Sequence, residues 1–186
     1  MNDPTADPLT LKAAAEATII ALQLIKEGGR GAVLLGAARL DLGLEKLLKA
    51  VMTSHIGGDD NLFDPDRPLG TFSAKISLAY RLSLIDKPVE HALQMIRKVR
   101  NEFAHSFGDA TLVRQEHQNR LSKPYSEAKR NPLWEDLEKA LSTREDALSK
   151  ELRDYVCLVV VLVAFMEACS DMQQKFSPKL TVMFTK

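Results

Sequence analysis

The sequence predicts an all-α protein: a single-domain helical bundle with an antiparallel helix hairpin at about 68–105 and a long apolar C-terminal helix. Three observations lead there. Apolar residues recur at helical spacing along the chain, and no segment sustains period-two alternation with β-branched residues. Glycine pairs and Asp-Pro or Asn-Pro steps fall where such helices would stop and start. Finally, 186 residues, 45% of them hydrophobic, suffice for one continuous core, and no linker or internal repeat divides residues 1–186.

The first helix begins after Asp7-Pro8, a capping residue followed by a first-turn proline, and stops at Gly28-Gly29. The second runs from about Arg30 to Ile56 and is closed by Gly57-Gly58, with 59–67 as a loop. The third spans about Pro68 to Ile85 and the fourth Pro88 to about His105. The link between them, Asp86-Lys87, is short enough to make the two an antiparallel pair. Residues 106–130 read as a polar, mildly basic segment within the domain. It is free enough to be mobile, with room for one short helix around Leu112 to Leu121. Asn131-Pro132 restarts a helix, and Thr143 with Asp146 resembles a weaker capping box opening the last one, which ends before Pro178. Within it Tyr155 to Met166 is apolar on every side, bounded by Asp154 and Glu167. A membrane span needs about twenty such residues. The run therefore reads as a central helix enclosed by the others, or as one burying a side in a homo-oligomer.

Lys plus Arg and Asp plus Glu both number 25, so the formal charge is zero. A protein that grips nucleic acid through many phosphates usually carries a basic excess, so strong direct DNA binding is not expected. Cys157 and Cys169 would lie roughly 18 Å apart on one helix, too far for a disulfide, and read as free thiols in a reducing compartment. Met1 to Pro8 carries Asp3 and Asp7 without an apolar stretch, unlike a secretory signal. The expected location is cytoplasmic.

Helical phase points charged residues inward. Val33, Ala37, Leu40, Leu44, Leu47, Leu48 and Val51 form the stripe of the second helix, with Asp41 inside its edge and Glu45 one turn on. Lys75 lies within the stripe of Phe72, Ile76, Ala79 and Leu82, and Arg100 within that of Val89, Leu93, Ile96, Phe103 and Ala104. A buried charge needs a partner, so a shared network is predicted in which Asp41 and Glu45 neutralise Lys75 and a buried Arg100. Such a network either fixes helix register or forms a polar pocket for an anionic ligand or partner.

Three blocks carry a resemblance. They are Leu40-Asp41-Leu42-Gly43-Leu44-Glu45-Lys46-Leu47-Leu48, Pro68-Leu69-Gly70-Thr71-Phe72-Ser73-Ala74-Lys75-Ile76 and Ile96-Arg97-Lys98-Val99-Arg100-Asn101-Glu102-Phe103-Ala104-His105-Ser106. In order and spacing, over about Leu34 to Phe107, they resemble the bacterial mannitol operon repressor family. The resemblance implies an all-helical, non-enzymatic regulator of mannitol uptake and catabolism genes that lacks an obvious DNA-reading module. The nearest candidate for one is the hairpin, whose second helix would expose His91, Gln94, Arg97, Lys98 and Asn101. Its first helix is long for that motif, so repression through a protein partner is expected. Arg100-Asn101-Glu102-Phe103-Ala104-His105 also resembles the Arg-x4-His signature of HEPN domains, some of which are metal-independent ribonucleases. That resemblance implies Arg100, Asn101 and His105 as site residues, with the Arg stabilising charge on phosphate and the His acting as acid or base. On an ideal helix Arg100 and His105 lie about 140° apart, while Asn101 and His105 share a face.

Other constellations are weak. His55, His91, His105 and His117 have no ligand spacing, so neither a metal nor a cofactor is predicted. Gly28-Gly29-Arg30-Gly31 follows no strand and reads as a connection, and adjacent Ser54-His55 lack nucleophile–base geometry. In the polar segment Arg114, Arg120, Lys123, Lys129 and Arg130 outnumber Glu116 and Glu127. They form a docking candidate for an acidic partner, or plain solvated surface.

Overall fold

The computed structural model describes residues 8–58, 61–106, 108, 110–143, 148–173 and 175, with side chains from Glu16 onward. Seven helices and no strands are found among them: α1 (Pro8–Lys26), α2 (Gly28–Val51), α3 (Phe72–Arg81), α4 (Lys87–His105), α5 (Gln115–Ala128), α6 (Pro132–Ser142) and α7 (Lys150–Met172). By length and composition α7 could cross a membrane. In the fold it is the central helix instead. Every residue from Asp154 to Val163 is buried, and α1, α2, α5 and α6 pack around it.

Its closest companion is α2, and small residues set that distance. A Cβ on Gly36 would lie 3.1 Å from Cγ2 of Val159, and one on Gly43 3.0 Å from Sδ of Met166. The buried Tyr155 hydroxyl donates to the Val33 carbonyl at 3.2 Å, and Lys46 pairs with both Glu167 and Asp171 across the same seam. The apolar stripe of α2, from Val33 through Leu40, Leu44 and Leu48, is buried as the helical phase predicts.

Helices α3 and α4 form the expected hairpin with altered bounds. Thr71, rather than Pro68, caps α3, accepting from the Ala74 N–H at 3.1 Å. The helix stops at Arg81, because the chain turns into a Schellman closure: Ser83 N–H donates to the Tyr80 carbonyl and Leu84 N–H to that of Ala79. Ser83 sits there at φ 58°, and Leu82, placed in the apolar stripe, is exposed. Asp86 then caps α4 through the Val89 N–H at 2.9 Å.

Other boundaries also move. Helix α2 ends at Val51, five residues before the predicted Ile56, which is 92% exposed and has no core to lean on. Residues 106–130, expected to hold one short helix, contain the fourteen-residue α5 instead. It buries His117, Leu121, Pro124 and Tyr125, and Pro124 does not end it. Ser149, not Thr143, opens α7, accepting from the Leu152 N–H at 3.2 Å; Asp146 lies outside the described residues.

Candidate functional site

Lys75 on α3 is buried, and its ammonium lies 3.1 Å from Oδ1 of Asp41 and 3.0 Å from Oε2 of Glu45, both on α2. The Glu45 contact is a hydrogen bond, whereas Asp41 contributes through charge alone. Lys49 completes the group, donating to the other Glu45 oxygen at 2.7 Å. Both ammonium groups lie over the ring of Phe63, at 4.9 Å for Lys49 and 5.9 Å for Lys75. Burial alone would raise the Glu45 carboxyl, but the hydrogen bonds and charges of Lys49 and Lys75 outweigh it and hold the group below its ordinary value. Three members of the predicted network are thus brought together.

The fourth is not. Arg100 is exposed, and its Nη1 donates to Oδ1 of Asn101 at 3.0 Å. The buried residues of α4 are Ala92, Leu93, Ile96, Val99 and Phe103. They form one face of the helix, and at its end Phe103 meets the ring of His117 on α5 at 5.2 Å. Arg100 and Ala104 lie at the edge of that face, and both are exposed. His105 is exposed at the end of the same helix and Asn101 is half-buried, so the structure leaves Arg100 and His105 both open to solvent. Of the residues proposed to read DNA only Lys98 is exposed, and Arg97 is tied to Gln94 at 3.0 Å.

Between α4 and α5 lies a cluster not anticipated from sequence. His117 is fully buried, with Nδ1 2.7 Å from the Thr111 carbonyl and Nε2 2.8 Å from Oε2 of Glu102. Both contacts are hydrogen bonds only when both ring nitrogens carry a proton. Arg120 pairs with the other Glu102 oxygen and with Glu116. The Arg120 hydrogen bond is the largest influence on Glu102. Together with His117 it overcomes partial burial and holds that carboxyl below its ordinary value. The basic docking candidate is accordingly divided. Arg120 is structural, Arg130 pairs with Glu127 at 2.8 Å, and Lys129 faces the Trp134 ring at 5.4 Å. Arg114 and Lys123 remain exposed. The signal for His117 was its i, i+4 relation to Leu121 and Tyr125 beyond, masked by the polar composition around it.

Beside the Lys75 network, where α2 gives way to loop, is a cavity of about 550 Å³. Lys49, His55, Arg67 and Lys175 line it, together with Ser54, Asn61, Phe63 and Pro68. Its loop wall is tightly made: Asp64 N–H donates to the Asn61 carbonyl, Arg67 to Asp64, Gly70 to Arg67, and Leu69 to Leu62, all at 2.9–3.1 Å. Gly70 is required, since a Cβ there would collide with the carbonyl oxygens of Asp64 and Pro65. Thus Pro68-Leu69-Gly70-Thr71 closes the loop and caps α3 in one stroke, delivering Lys75 to α2.

The crystal structure of a possible transcriptional regulator, YggD, from Shigella flexneri shares this fold, with a TM-score of 0.51 at 15% identity over 83% of this chain and 96% of that one. At that identity the likeness is one of fold. No protein-family model matches the chain, and no curated protein is significantly similar to it.

Proposed function

We propose that the chain is a non-enzymatic, cytoplasmic transcriptional regulator of the mannitol operon repressor type. It represses mannitol uptake and catabolism genes through a protein partner rather than through a DNA-reading helix of its own. The observation that carries the reading is the fold, which matches a possible transcriptional regulator across nearly the whole length of that protein. The resemblance of the three sequence blocks supplies the mannitol specificity. The preference for a protein partner rests on charge and on α4: the net charge is zero, and Arg97, Arg100 and Asn101 are engaged with neighbours along the helix. Deleting the gene should raise transcripts of mannitol uptake genes in cells grown without mannitol. Unchanged transcripts would sink the proposal. Isolated protein should bind operator duplex no better than random duplex at physiological salt. Nanomolar operator binding would overturn the partner mechanism while leaving the regulatory role intact.

A specific observation also supports a second reading, that of a metal-independent HEPN-type ribonuclease. Arg100 is not committed to the core but bonds Asn101, and His105 is exposed further along the same helix. Cleavage of mixed RNA in the presence of chelator, lost in both Arg100→Ala and His105→Ala, would establish this reading against the first. Intact RNA after prolonged incubation would eliminate it.

A further inference from the structure

We infer that the cavity at the end of α2 is a binding site for a small organic phosphate. Its lining brings basic side chains together from three stretches of chain: Lys49 on α2, His55 and Arg67 on the following loops, and Lys175 from beyond α7. Among the described residues no carboxylate lines it. Local charge is unequal. Asp41 and Glu45 balance Lys75 and Lys49, which leaves Arg67 and Lys175 without an acidic partner among the described residues. Asp64 and Asp66 belong to the same loop but do not face the cavity, and Asp59 and Asp60 lie outside the described residues.

The carbonyl end of α2 carries about half a negative charge into this region and would oppose an anion. Lys175 answers it, donating to the Lys49 carbonyl at 2.8 Å. Its ammonium keeps two further N–H donors, which together with Arg67 act on whatever occupies the space. Cations arriving from several directions suit a tetrahedral, doubly charged group, and the Arg67 fork can hold two of its oxygens. About 550 Å³ exceeds what a bare phosphate fills and lies in the range of small-molecule sites. Ser54 and Asn61 can bond hydroxyls of the organic part, while Phe63 and Pro68 supply an apolar wall. The wall is preorganised by the turns from Asn61 to Gly70, so little ordering opposes binding. The assignment is independent of the regulatory proposal.

The test is calorimetric titration of the full chain with glycerol phosphate, inorganic phosphate and glycerol at matched ionic strength. Saturable binding of glycerol phosphate is expected, weaker binding of inorganic phosphate, and none of glycerol. Arg67→Gln and Lys175→Gln should each weaken glycerol phosphate by about tenfold or more, the worth of a charge-assisted hydrogen bond. Lys123→Gln, exposed on α5, should change nothing. Absence of saturable binding would overturn the assignment and imply that acidic neighbours already satisfy the cations. So would binding that survives both substitutions. Circular dichroism melts of each variant distinguish lost binding from lost folding.

Discussion

Lys75 shows how much one side chain can hold in this fold. Its ammonium is withdrawn from water and faces two carboxylates, whose outer edges still reach solvent. Removing only the cation leaves those two negative charges together, and breaking a buried pair typically costs about 3–5 kcal/mol. Lys75→Met keeps the volume, so its cost should come from the charges. Adding Asp41→Asn to it should recover about 1 kcal/mol, as measured by urea denaturation. A double variant no more stable than the single one would refute the electrostatic account. Ser83 is the opposite case, a residue in a conformation its type resists. At φ 58° an L-residue gives up about 1–2 kcal/mol, so Ser83→Gly should stabilise by about 0.5 kcal/mol after the entropy cost of glycine, while Ser83→Val should destabilise. Equal melting temperatures for the three proteins would contradict this. The inward set Asp41, Glu45 and Lys75 was legible because each lies in or beside the apolar stripe of its helix. Arg100 was not, since it lies at the edge of the buried face of α4, where a long side chain can reach solvent.

At the scale of elements, α5 is attached to α4 by ionic contacts as much as by apolar ones. Arg120 reads in sequence as one of several surface cations, yet it bridges Glu102 and Glu116 next to the buried His117. Arg120→Glu would set three carboxylates together, and the loss should exceed the roughly 0.5 kcal/mol usual for surface changes. Lys123→Glu should stay within that tolerance, and parity of the two in thermal unfolding would show that the bridge does not matter. The pH dependence has a definite sign. The Glu102 carboxyl is held below its ordinary value, chiefly by Arg120, so its stabilising contribution is present above the unfolded-state value near 4.5 and is lost as pH falls through the folded-state value. Acid melts should therefore separate wild type from Glu102→Gln at pH 6 and bring them together toward pH 3. Curves that stay parallel over that range would exclude the linkage. Helix boundaries were legible where a cap was chemically explicit, as at Asp86 and Asn131. They were not where packing decided, as at the end of α2 and along α5, whose internal proline reads as a breaker.

For the whole molecule, periodicity and composition sufficed to predict the class of fold, because an apolar helix such as α7 has to be enclosed by others. The cavity was not legible, since its cations are separated by more than a hundred residues and meet only after α2, its following loops and the end of α7 have come together. Neutral net charge likewise concealed a separation of charge: carboxylates gather on Lys75, while Arg67 and Lys175, without an acidic partner among the described residues, border the space beside it. The two cysteines occupy different depths in this arrangement. Cys157 is enclosed in the buried stretch of α7, and burial pushes its thiol up to about 12, while Cys169 is only half-buried, less than one turn before the helix ends. A thiolate is the reactive form, so at neutral pH the inner sulfur is protected both by protonation and by enclosure. Alkylation followed by mass spectrometry should therefore give one fast adduct, at Cys169. The second should appear at a rate set by opening of the central helix, and should speed up in Lys75→Met if that network secures the core. The chain carries its own clock for global opening, and simultaneous modification of both sulfurs would mean that α7 is not enclosed.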